Sequence, residues 1–299
     1  MSVIGARARV FRTLGLAAVA ALVLTACAAP TGPSAGYGSG VPSPRRSGGS
    51  SAASPARVGP SPTAARGTGT GVASSTPSSR VYQDSGGVGE MARSYLRASP
   101  ARALEIQVAY TSGSRPSQAA LDHVLSILRR EADKPGGITL RVGPEFSPTS
   151  DAYSIEEIGR LERRYRTIHS SAQTATMWIV YLNGTLQGDD STLGVAYEAS
   201  GAAIFADQIS SASTSLVQPG AIERSVLTHE VGHLLALVNL GYTSKYAHED
   251  PDHRYHSRYQ TSVMFWAIED ISIGALLSGG PPDDFDRYDL ADLALLRSE

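Results

Sequence analysis

His229-Glu230-Val231-Gly232-His233 brings two imidazoles and one carboxylate together in a single stretch of chain. On a helix, residues four apart share a face, so His229 and His233 can converge on one metal ion. Glu230 lies on the flank of that face. It is too far round to share the ion comfortably, but it is placed to reach a water bound there. Two imidazole ligands beside a general base are the working parts of metal-assisted hydrolysis. The bland alternative is a surface helix whose His and Glu are merely solvated.

The motif sits in an apolar run, residues 221–240, preceded by Pro219-Gly220 and followed by Gly241. Those are start and stop signals, and the spacing predicts one helix continuing to Leu240. Upstream, the chain reads as strands alternating with helices. Residues 103–110 alternate at period two, as a strand does. Leu121, Val124, Leu125 and Leu128 recur at helical spacing, and Lys134-Pro135-Gly136-Gly137 stops that helix. Residues 138–142 read as a second strand. Ser154-Ile155-Glu156-Glu157 matches a capping box for a helix carrying Ile158, Leu161 and Tyr165. The basic run from Arg160 to Arg166 reads as that helix's solvated face.

Residues 176–182 are apolar throughout, as expected of a buried central strand. Residues 194–197 and 202–206 read as two short strands joined by a turn at Ser200-Gly201. This order gives an α/β (α+β) layer fold, a mixed sheet with helices and an irregular C-terminal part. An edge strand just ahead of the histidine helix would be a docking rail for an extended peptide. Residues 281–296 read as a capped final helix. Tyr288, Leu293 and Leu296 would hold it, and its early acids suit the helix dipole.

Two imidazoles alone hold zinc weakly, and catalytic sites typically use three protein ligands plus water. The irregular stretch after Gly241 offers candidates for the third: His248, Glu249, Asp250, Asp252, His253 and His256. Asn239 is nearer the helix, but a neutral amide suits zinc poorly. Long irregular loops inside compact domains are usually functional or disordered.

Ser262-Val263-Met264-Phe265-Trp266 follows. The helix motif together with this Ser-x-Met segment resembles the metzincin clan of zinc metallopeptidases, whose hallmark is H-E-x-x-H-x-x-G-x-x-H and a Met-containing turn beneath the metal. Ala236 stands where that family has Gly, and Asn239 where it has the third His. The archaemetzincin branch has His-Cys, four residues, then Cys-x-Met. Here His256-Ser257, four residues, then Ser262-Val263-Met264 keep that spacing, with serine for both cysteines. The resemblance implies His229, His233 and His256 as ligands of one Zn2+, Glu230 as general base and Met264 as packing below the site. It also implies that the second, cysteine-bound zinc of that branch is absent.

The N-terminus reads as a targeting segment. Arg7, Arg9 and Arg12 precede an apolar run, residues 14–24, too short for a permanent span. It ends at Leu24-Thr25-Ala26-Cys27, which resembles the lipobox of bacterial lipoproteins. Cys27 is the only cysteine, so no internal disulfide can form. The expected organisation is a signal peptide over residues 1–26, lipidated Cys27 and a Ser/Gly/Pro-rich tether over 27–94, and a folded domain over 95–299. The tether has too little apolar surface to offset its ordering entropy. The net charge of -2 argues against a general nucleic-acid binder.

The expectation is therefore a monomeric, lipid-anchored extracytoplasmic zinc endopeptidase acting on peptides or proteins at a bacterial membrane. The alternative from another class is a non-catalytic zinc-binding or interaction lipoprotein. Glu230 weighs against it, since a purely structural zinc does not need that residue.

Overall fold

The structure, a computed structural model, describes residues 84, 86–270, 272–273 and 280–298. The signal segment, Cys27 and the tether as far as residue 83 lie outside the described residues.

A five-stranded mixed sheet organises the chain, in the order β2-β1-β4-β7-β6. Its members are β1 (Ala103–Thr111), β2 (Ile138–Phe146), β4 (Thr174–Leu182), β6 (Gly194–Tyr197) and β7 (Gly201–Phe205). Four strands run parallel, and β6 closes the edge antiparallel to β7. A small second sheet pairs β3 (Ala152–Tyr153) with β5 (Thr185–Leu186). This is the α/β mixed-sheet architecture expected from the sequence.

The apolar run of β4 is explained by burial on both faces. Ala175, Met177, Ile179 and Tyr181 join the larger core, whereas Trp178, Val180 and Leu182 join a second cluster on the opposite face. Helix α3 (Ile155–Tyr165) covers the second cluster with Ile158 and Leu161. Helices α2 (Gln118–Glu131) and α5 (Pro219–Leu234) cover the larger one with Leu121, Val124, Leu128, Val226, Leu227 and Val231. Burying each such Leu, Ile or Val contributes about 1.5–3 kcal/mol. The capping box forms as read: Glu157 N–H donates to Ser154 Oγ at 3.2 Å, and Ser154 N–H to Glu157 Oε2 at 2.9 Å.

Three readings change, and one helix goes unread. The fold starts before residue 95: Met91 and Ala92 are buried, and α1 (Ala92–Leu96) sets Tyr95 and Leu96 in the core. Arg166 is buried, not solvated. It bonds Glu162 and Ser200 and reaches Asp84 at 3.2 Å, tying the start of the described chain to the sheet. Helix α4 (Ala206–Ala212) carries too few apolar residues for a 3.6-residue period to show, only Ile209 and Ala212 being buried between two serines and Asp207. Finally, α5 ends at Leu234 rather than Leu240.

Candidate metal centre

Helix α5 enters at Pro219, in the first helical turn, where its missing N–H costs nothing. Its second half is buried all round: Val226, Leu227, Val231 and Leu234 pack apolar, and His229, Glu230 and His233 are buried with them. The helix stops in a Schellman arrangement. Leu237 N–H reaches back to Gly232 O at 3.1 Å, and Ala236 N–H to His233 O at 2.9 Å. Ala236 takes the left-handed conformation at φ 64, where glycine is the usual occupant and alanine costs roughly 1–2 kcal/mol. Alanine looks like a helix former, which is why the sequence reading carries the helix too far. Val238 (φ 55) and Asn239 (φ 64) continue the reversal. Asn239 is an organiser of the following loop, not a ligand: its Nδ2 donates to Glu249 Oε2, and its Oδ1 accepts Ser244 N–H. Glu249 in turn accepts Tyr255 N–H at 2.9 Å, next to His256.

That loop returns His256 to the helix. The His229, His233 and His256 rings have centroids 4.7–5.2 Å apart. A fourth residue joins them. Glu269 lies in the 3-10 helix Trp266–Glu269, and one ligand atom from each of the four lies within 4.8 Å of the others. Glu269 Oε1 is 3.1 Å from His229 Nε2 and 3.2 Å from His233 Nε2, and its Oε2 is 3.1 Å from His256 Nε2. His233 Nε2 is 3.0 Å from His229 Nε2.

The protons on these rings can be assigned. A carbonyl oxygen only accepts, so His229 Nδ1, 2.6 Å from Val263 O, is a donor. His256 Nδ1, 3.0 Å from Arg254 O, is a donor too. In their neutral forms both rings therefore turn an Nε2 lone pair toward a carboxylate oxygen at 3.1 Å. Lone pair facing lone pair is repulsive, and a cation among the four groups would give each of these lone pairs a partner. Backbone partners of this kind are what fixes the tautomer of a metal-bound imidazole. Burial pushes His233 down to about 4, so near neutral pH its ring is uncharged and free to donate a lone pair. The donor set fits a metal ion.

Glu230 is fully buried, and neither of its carboxylate oxygens has a hydrogen-bond partner. Burial pushes its pKa well above the ordinary range, and the charge of Glu269 adds to the effect; the N–H of Ala196 pulls the other way without reaching hydrogen-bond geometry. A buried, unpaired carboxylate is rare and calls for a missing partner such as water or an ion. Gly194 of β6 makes the space for it, since a Cβ there would come within 2.6 Å of Glu230 Oε1. Met264 is completely buried against Gly232, where a Cβ would overlap its sulfur. It therefore packs on the helix between the two histidines, and its neighbour Val263 supplies the carbonyl that orients His229.

The remaining loop candidates lie elsewhere. His253 stacks on Trp266 with centroids 4.3 Å apart and pairs with Asp250. His248 is buried against Asp292 at 2.8 Å, in a cluster with Tyr242, Ser244 and Asp289. Burial pushes Asp289 up to about 7. Ser262, at a cysteine position of the archaemetzincin pattern, donates to Asp289 and accepts Met264 N–H. This cluster fastens the Met264 segment and the loop to the last helix, α6 (Arg287–Ser298).

The sequence reading missed Glu269. It stands beside Asp270 in an otherwise ordinary apolar stretch, and no spacing relates it to His229 or His233.

No protein-family model and no curated protein matches this chain. Among solved structures it is similar to an archaemetzincin from Methanopyrus kandleri, with 13% identity over 65% of this chain and 96% of that one, and a TM-score of 0.44. An archaemetzincin from Archaeoglobus fulgidus crystallised with malonate gives 12% identity, 63% and 99% coverage, and 0.38. Metalloproteinase-II from Bacteroides fragilis gives 13%, 68% and 56%, and 0.39. At this level of similarity the chemistry rests on the chain's own residues.

Proposed function

We propose that the chain is a zinc-dependent endopeptidase acting on peptides or proteins, held at a bacterial membrane by lipid on Cys27. The observation that carries the hydrolytic reading is Glu230, a buried carboxylate with no partner, next in sequence to one of three histidines whose ligand atoms converge. His229, His233 and His256 would hold the ion, and an all-nitrogen set from three histidines suits zinc. When bound, zinc polarises a peptide carbonyl and makes water acidic enough to lose a proton near neutral pH.

The other tasks fall to protein residues. Glu230 accepts the water proton on a carboxylate oxygen and returns it to the departing amine. Gly194 and Met264 hold the helix and the base in place. Strand β6, an edge of the sheet, presents backbone groups along which an extended peptide can lie.

Hydrolysis of casein by the purified full chain is the test. Cleavage should vanish on chelation and return with zinc. Metal bound without cleavage would favour a second reading, a non-catalytic metal-binding surface protein. Glu269 speaks for that reading, because four protein ligands are the habit of structural zinc sites.

The anchoring reading rests on the basic start, the apolar run and the sole cysteine of the sequence. Among the described residues, no helix is long and apolar enough to cross a membrane. Cys27→Ser is expected to shift the protein out of the detergent phase or leave it unprocessed. A variant that partitions and matures like the wild type would contradict a lipid anchor.

A further inference from the structure

Glu269 does not behave like a bystander. Zinc bound tetrahedrally at about 2.0–2.1 Å sets its ligand atoms about 3.3 Å apart. The Nε2 atoms of His229 and His233 are 3.0 Å apart, and Glu269 oxygens stand 3.1–3.2 Å from all three imidazole nitrogens. Oε1 is thus spaced as a ligand beside His229 and His233, while Oε2 is the oxygen that faces His256. Its backbone is clamped: Leu193, next to β6, donates its N–H to Glu269 O at 2.7 Å, and Thr192 bridges Asp270. Only the side chain is left to move.

There is room for that movement. Two cavities of about 290 Å³ each meet at Glu269 and His256. One is polar, with Asp189, Thr192, Arg254 and Asp270 in its wall. The other is apolar, with Val88, Val195, Leu240 and Tyr255. Glu269 and His256 line both, and in the polar wall Arg254, which also lies 4.0 Å from Glu249, stands with Asp189 and Asp270.

We infer that Glu269 is a built-in fourth ligand that caps the metal in the resting protein. Swinging the carboxylate into the polar cavity uncovers the metal and joins the two cavities into one cleft. The inference rests on the zinc-endopeptidase reading and adds latency to it: the site is closed by its own chain and opened when a substrate takes the carboxylate's place.

Cobalt(II) in place of zinc reports ligand number through its visible spectrum, and azide reports a free ligand position. Wild-type full chain loaded with cobalt should give a four-ligand spectrum that azide leaves unchanged. Glu269→Ala should bind cobalt roughly tenfold more weakly, as for changes close to a metal. Its spectrum should change on adding azide, and it should cleave casein faster than the wild type, because the cap is gone. Glu269→Gln, nearly the same shape without the charge, should also respond to azide.

A wild-type spectrum that already responds to azide, and is unaltered by either variant, would overturn the cap and leave the metal site standing. An azide-responsive Glu269→Ala that cleaves no faster than the wild type would overturn it too, because removing a cap must open the metal to substrate. Failure of the wild type to bind cobalt or zinc at all would overturn the metal reading itself.

Discussion

Glu230→Gln is expected to retain zinc at near wild-type occupancy while peptide hydrolysis falls by about 10²–10⁴-fold, the range that general acid–base catalysis supplies. Glu230 is not among the four residues whose ligand atoms converge, so the ion loses no ligand. The amide keeps the shape of the side chain in the space left by Gly194. It loses only the ability to take a proton. Burial of a neutral amide in place of a carboxylate whose pKa is already raised should not unfold the protein. Loss of zinc in this variant would instead make Glu230 a ligand. Undiminished cleavage would remove it from the reaction.

His256→Ala should weaken zinc by at least about tenfold, since even groups behind a ligand cost 10–100-fold when removed. His256 is the only loop histidine whose Nε2 joins those of His229 and His233. His253→Ala, which removes a ring stacked on Trp266, should leave zinc affinity close to wild type. His248→Ala should act on stability instead, because it removes a fully buried ring and one of the three side-chain hydrogen bonds on the buried carboxylate of Asp292. If His256→Ala binds zinc as tightly as the parent while one of the others does not, the alignment through Ser257 and Ser262 is wrong.

Where local rules decide the structure, the sequence was legible. The two-residue period of β1, the all-apolar β4 and the capping box at Ser154 follow from side-chain direction and hydrogen bonding within a few residues. The pair His229 and His233, four apart, reads the same way. What could not be read depends on the path of the chain in space. Ala236 shows nothing of the left-handed turn it adopts, because the hydrogen bonds that stop the helix are between backbone groups. His248, His253 and His256 are alike as residue types, and only the returning loop, held by Asn239 and Glu249, separates a buried anchor and a surface stack from the ring that joins His229 and His233. Arg166 and Glu269 are charged residues in ordinary settings whose partners lie far along the chain. Spacing motifs register neither.

The central claim is that His229, His233 and His256 form a zinc site. The direct measurement is the metal content of the purified full chain after loading with zinc and removal of unbound metal. About one zinc per chain is predicted, as for a single tetrahedral site, falling to near zero in a His229→Ala, His233→Ala double variant. A wild-type chain that carries no more zinc than that double variant would contradict the account.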